Sequence, residues 1–227
     1  MQPIIHVLSL RMANAYLIQS EHGLVLVDAG MPGDERHIQN AMESLGYDEL
    51  LLIFLTHAHL DHCGSAAAMK QISGAPVAIH QADADDLSRG KTRLGHTKGR
   101  GRVSGFIFPL IERLISVEPV QADIILEDNE DISDYGLAAR IIHTPGHTPG
   151  SSSLMLENRI TFVGDLVSSN NGAHAQRYYA TDWSQIPTSL KRLQQISPKI
   201  VYPGHGRLPI DAETFNSITV QDYAKTE

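Results

Sequence analysis

Residues 54–64 read FLTHAHLDHCG. The apolar run LLIFLT at 51–56 leads into this stretch and has the length and continuity of a strand covered on both faces. Behind it, the small-residue segment SAAAMKQIS at 65–73 reads as a helix, closed by Gly74, Ala75 and Pro76. Three histidines and one aspartate therefore fall where a buried strand hands over to a helix. His57 and His59 are one residue apart, so in an extended segment both imidazoles point to the same side. Asp61 and His62 follow where the loop enters the helix and can face a second, adjacent point. Two such points, furnished with imidazole and carboxylate, suit two divalent metals at the roughly 3.5–4 Å spacing of a two-metal site. The plain alternative is a helix N-terminus with an aspartate cap and surface histidines. A cluster this dense behind a buried strand argues against it.

The pattern extends in both directions. Short β segments are expected at 14–18, 24–28, 76–80, 123–126, 137–143, 152–156, 159–163 and 199–202. Ile38, Met42 and Leu45 recur at helical spacing within 34–45, as do Ile186, Leu190, Leu193 and Ile196 within 184–196. Interleaved strands and helices make the class α/β. Residues 88–115 break the alternation. The part at 88–102 holds six Lys/Arg and four Gly without apolar period, and the apolar GFIFPLIERLI at 105–115 is expected to turn helical after Pro109.

Composition narrows the function. At 227 residues, 42% hydrophobic and 19% charged, the chain suits one domain spanning 1–227. A formal charge of −8 opposes a nucleic-acid partner, and the single cysteine, Cys63, excludes an intramolecular disulfide. No basic, apolar and small-residue order marks a signal peptide, and no apolar run reaches spanning length. The expectation is a cytoplasmic protein with a small-molecule substrate, no membrane partner, and a homodimer left open. Twelve histidines are many for this length and point to metal or acid–base chemistry.

HAHLDH matches the HxHxDH signature, and the chain resembles the metallo-β-lactamase superfamily of metallohydrolases over nearly its full length. That resemblance implies an αβ/βα sandwich, with 88–115 as a cap-like insertion. It also implies three further ligands, and His147 in TPGHTPGS, Asp165 in TFVGDLV and His205 in VYPGHGR stand in the required order. By the same resemblance His57, His59 and His147 hold one metal, Asp61, His62 and His205 the other, and Asp165 bridges them. Five neutral imidazoles and two carboxylates leave two dications short by two charges, which favours a bridging hydroxide as nucleophile. Asp61 is the residue expected to orient that nucleophile or take its proton. Imidazole-rich sets suit zinc, with iron or manganese compatible, and His59 stands where di-iron oxygen-reducing relatives carry Glu.

The block HTPG occurs twice, at 143–146 and 147–150. His143 closes a strand and reads as a packed side chain, whereas the turn before His147 projects it off the sheet edge. Cys63 reads as a small buried side chain. Asp28 in VDAG either orients a ligand histidine or caps its turn. His6, His22, His37 and His80 carry no motif.

The resemblance leaves the substrate open. The favoured expectation is hydrolysis of a small ester-like compound: a lactone, thioester or other acyl substrate. The alternatives are an iron-dependent persulfide dioxygenase, and a phosphodiesterase or β-lactam hydrolase. A group of lactonases in the family carries Tyr three residues after the bridging Asp, where this chain has Ser168; Tyr178 and Tyr179 are candidates to substitute for it. The 88–115 segment reads equally as a lid, an acyl-binding wall or a subunit interface.

Overall fold

The computed structural model describes residues 2–207 and 209–220. Two sheets face each other. The first runs in the order Ile4–Ser9, Asn14–Gln19, Leu24–Val27, Leu52–Leu55, Val77–His80, Ile124–Leu126. Its first three strands are antiparallel neighbours, and the pairings from Leu24–Val27 onward are parallel. The second sheet runs Ile210–Asp211, Ile200–Tyr202, Ile160–Phe162, Ser152–Leu156, Ala139–His143.

Alternation along single strands builds the layers. Leu52 and Phe54 point between the sheets, where they meet Tyr16, Val27, Ile141, Leu154 and Phe162. Ile53 and Leu55 point to the opposite face and pack with Ile38 and Met42 of the helix Glu35–Ser44 and with Met69 of Ala66–Ser73. The outer face of the second sheet is covered in turn by Ile186, Leu190 and Leu193 of the helix Gln185–Ile196. Helix, sheet, sheet, helix is the expected αβ/βα sandwich. The continuous apolar reading of 51–56 follows from this, because that strand is covered on both faces.

Besides several short elements, a strand and a helix differ from the sequence expectation. The strand Ile4–Ser9 was not foreseen: it pairs only with Asn14–Gln19, its outer side is largely exposed, and its composition shows no clean alternation. The helix expected after Pro109 begins earlier and spans Gly101–Leu114. Glycine explains the early start. A Cβ at Gly101 would collide with the carbonyl oxygen of Tyr178, and one at Gly105 would lie 2.6 Å from Thr97 Cγ2. The helix is thus seated closely on the antiparallel pair His96–Thr97 and Tyr179–Ala180. No helix among the described residues is long and apolar enough to cross a membrane.

The functional consequence lies at the strand ends. Asp28, His57, Asp83, His147, Asp165 and His205 each follow the C-terminal end of a strand, and all six strands end at the same edge of the sandwich. Phe54 is fully buried between the sheets, in the strand that leads to His57. Phe54→Ala should lower the unfolding free energy by about 3–5 kcal/mol through the cavity it leaves. Urea denaturation checks this, and an unchanged midpoint would contradict the packing described.

Candidate metal centre

The seven side chains singled out from sequence converge. Ligand atoms of His57, His59 and His147 lie within 4.8 Å of one another, as do those of His57, His62 and Asp165, and those of Asp61, His62 and His205. Asp165 stands between the groups and uses its two oxygens differently. Oδ2 is 3.3 Å from His147 Nε2, while Oδ1 is 3.2 Å from His62 Nε2 and 3.3 Å from His205 Nε2. Asp61 Oδ2 lies 3.4 Å from His205 Nε2 and 3.9 Å from His62 Nε2. The first group is sealed, whereas the side chains of Asp61 and His205 keep 20% and 24% of their surface exposed.

The outer nitrogen of every one of the five imidazoles lies within hydrogen-bond distance of an oxygen acceptor. His59 Nε2 donates to the Arg93 carbonyl at 2.9 Å, His147 Nδ1 to the Tyr179 carbonyl at 3.0 Å, and His205 Nδ1 to the Met12 carbonyl at 3.0 Å. His62 Nδ1 donates to Asp28 Oδ2 at 2.8 Å. The Thr56 hydroxyl gives its proton to Asp28 and so accepts from His57 Nδ1 at 3.0 Å. Donation through these outer nitrogens turns each inner nitrogen toward the cluster, the arrangement of a ligand imidazole and its outer partner.

Those inward nitrogens fit a cation. His57 Nε2, His62 Nε2 and Asp165 Oδ1 are buried without any hydrogen-bond partner. His59 Nδ1 and His147 Nε2 face each other at 2.9 Å. Buried acceptors with no donor are costly unless a positive charge joins them. Burial, followed by the neighbouring imidazoles, holds the His57 pKa well below the usual histidine range. Burial and His59 push His147 down to about 3. At His62 burial opposes the charged form, but Asp28, Asp165 and Asp61 outweigh it and raise the pKa. At His205 the same opposition is overcome by Asp165 and Asp61, to about 9. Burial disfavours the Asp165 carboxylate, yet His205, His62 and His147 pull its pKa well below the usual range.

Other sequence readings can be placed. Asp28 is buried and holds Thr56 and His62 together, so of its two readings the orienting one holds. His143 stacks on His80 at 3.9 Å and 9° and donates to the Pro149 carbonyl, outside all three groups. Cys63 is buried, and burial drives its thiol pKa upward. Phe106 is exposed, Phe108 packs on the helix side of the first sheet, and neither lines the cavity of about 310 Å³ beside Asp165 and His205. Val167, Ser168, Asn170, Asn171, Tyr178 and Tyr179 line that cavity, and none of the insertion's described apolar side chains does.

Sequence reasoning missed Asp83. Its buried carboxylate accepts from Ala58 N–H at 3.1 Å, from the Thr148 hydroxyl at 2.7 Å and from Gly150 N–H at 2.6 Å. It thereby ties the HAHLDH loop to the second HTPG block. The only available signal was position: like Asp28, it lies just past the end of a parallel strand. Missed as well were the main-chain carbonyls of Arg93, Tyr179 and Met12, for which side-chain identity carries no information.

The sequence profile of the metallo-beta-lactamase superfamily matches residues 8–205. The chain belongs to that superfamily. It is similar to the probable metallo-hydrolase YflN of Bacillus subtilis, 28% identical with 94% of this chain and 87% of that protein covered. An N-acyl homoserine lactonase from a Bacillus species is 24% identical over 84% of this chain and 79% of its own length. Among solved structures, TTHA1623 in a di-iron-bound form superposes with a TM-score of 0.67 at 24% identity, covering 93% of this chain and 96% of that one. The superfamily is one of metal-binding hydrolases, and the histidine–aspartate cluster at the strand ends could hold a metal ion.

Asp83→Ala should leave the Ala58 and Gly150 N–H groups without their acceptor, each costing about 1–3 kcal/mol where it stays dry. Chemical denaturation of the chelator-treated protein should show the loss. A variant as stable as the parent would mean that Asp83 does not brace the two loops.

Proposed function

We propose that this chain is a dinuclear zinc hydrolase of a small ester-like substrate: a lactone, a thioester or a related acyl compound. His57, His59 and His147 would hold one ion, Asp61, His62 and His205 the other, with Asp165 shared between them. The observation that carries the reading is the division of Asp165, whose Oδ2 faces His147 while Oδ1 faces His62 and His205. The grouping of Asp61, His62 and His205 supports two ions over one, and so a hydrolase over a mono-iron oxygenase. The imidazole-rich donor set supports zinc, with iron, the metal in the TTHA1623 structure, as the competing occupant. Similarity to an N-acyl homoserine lactonase supports the lactone among these substrates.

When bound, the two ions supply a water ionised near neutral pH and a Lewis acid for the substrate carbonyl. The protein does the rest. Asp61 belongs to the ligand cluster and keeps contact with solvent, so its second carboxylate oxygen would receive the proton of the attacking water and release it. Val167, Tyr178 and Tyr179 offer apolar surface to the acyl part, while Ser168 and Asn170 offer hydrogen bonds to its polar end. Tyr178 and Tyr179 thus stand beside the centre although Ser168 occupies the position three after Asp165.

Protein purified without added metal should contain two equivalents of zinc and hydrolyse lactones or thioesters. One iron, with sulfide-dependent oxygen uptake, would overturn the reading. Asp165→Ala should retain at most one equivalent and lose turnover; a doubly occupied, active variant would remove the bridge. His147→Ala should lose metal and most activity, whereas His143→Ala should keep the full stoichiometry. Equal metal loss from both would mean that the two HTPG blocks are wrongly divided.

A further inference from the structure

The helix Gly101–Leu114 turns its apolar side outward. Val103, Phe106, Ile107, Leu110 and Leu114 recur at intervals of three and four, which places them on one face. Phe106 is 88% exposed, Leu114 79%, Val103 66% and Leu110 61%. The opposite side is committed to the body. Gly101 sits on the Tyr178 carbonyl, Gly105 on Thr97, and Phe108 packs with the core beneath the first sheet. The helix therefore cannot roll its apolar face inward without breaking these glycine contacts. A contiguous apolar face of this kind marks an interaction site.

Charge selects the partner. The segment 88–102 contains six Lys/Arg and no Asp/Glu, in a chain of net charge −8. Arg89 pairs with Asp85, Arg93 with Asp86, and Lys98 lies over the Trp183 ring. Lys91, Arg100 and Arg102 are exposed, and Arg102 is about 100° of helix rotation from Val103, at the edge of the apolar face. Anionic lipid headgroups meet these cations with opposite charge, while acyl chains receive the apolar side chains. The acidic remainder of the molecule is screened beyond about 8–10 Å at physiological salt.

We propose that the helix Gly101–Leu114 docks this protein on an anionic lipid bilayer, lying in the interface with Val103, Phe106, Ile107, Leu110 and Leu114 inserted. The expectation of no membrane partner concerned spanning length, which a helix lying in the surface does not need. The docking is independent of which substrate the metal centre takes.

Sedimentation of the full chain with phosphatidylcholine vesicles, with and without phosphatidylserine, tests the proposal. Binding is expected only to the phosphatidylserine vesicles and should weaken as salt is raised. Phe106→Asp and Leu110→Asp, at exposed positions that leave the body intact, should abolish it. Arg102→Gln should reduce the partition about fivefold, the share of one cation near the headgroups. Three results would overturn the proposal: no sedimentation with either vesicle, equal binding to both, or a dimer in analytical ultracentrifugation that Phe106→Asp dissociates without any vesicle binding by the parent.

Discussion

A single buried carboxylate organises the centre. Asp28 stands at the end of the strand Leu24–Val27 with a left-handed backbone, φ 59°. From there it accepts Thr56 N–H at 2.8 Å, the Thr56 hydroxyl, and His62 Nδ1–H at 2.8 Å. Through Thr56 it also fixes the tautomer of His57. One residue thus orients an imidazole in each of the proposed metal sites and pins the start of the HAHLDH loop to the neighbouring strand. The price of an unusual backbone angle at a non-glycine residue is offset by three hydrogen bonds to a charged acceptor.

The remaining loops reach the centre because their strands end at the same edge. Parallel pairing of Leu24–Val27, Leu52–Leu55 and Val77–His80 in one sheet, and of Ile160–Phe162 with Ile200–Tyr202 in the other, aligns their C-terminal ends. Close approach is then permitted by glycine. A Cβ on Gly204 would lie 2.6 Å from His62 Cε1 and 2.7 Å from Asp165 Oδ1, so the loop carrying His205 closes only without one. The unforeseen N-terminal hairpin braces that loop from outside. Asn14 donates to the Gly206 carbonyl at 2.6 Å, and the Met12 carbonyl accepts from His205.

The insertion is part of the site's construction. The Arg93 carbonyl orients His59, and the Thr92 hydroxyl accepts from Leu60 N–H at 3.0 Å. Its strand His96–Thr97 pairs with Tyr179–Ala180, whose Tyr179 carbonyl orients His147. The segment that broke the α/β alternation thus holds two of the three imidazoles of the sealed group. Its helix meanwhile presents a surface to the outside.

The class, the sheet-forming segments and the metal-binding character were legible in the chain, because strand alternation and the HAHLDH spacing are local. Burial on both faces writes itself into 51–56 as uninterrupted apolar residues, and two histidines one apart on an extended segment share a side whatever the rest of the protein does. The turn between His143 and His147 is likewise local, and of the two only His147 lies in the histidine–aspartate cluster. Asp83, the N-terminal strand and the early start of the helix at Gly101 were not legible. Each depends on what lies across space: two loops sharing one carboxylate, an edge strand held by a single neighbour, and a glycine chosen for the Tyr178 carbonyl opposite. The same holds for the protons on the five imidazoles. Three of the five acceptors that place them are main-chain carbonyls 32 or more residues away in sequence, and a carbonyl is common to every residue type. Spacing along the chain determined which side chains were available; only the packing of strand ends determined which nitrogen of each ring faces inward.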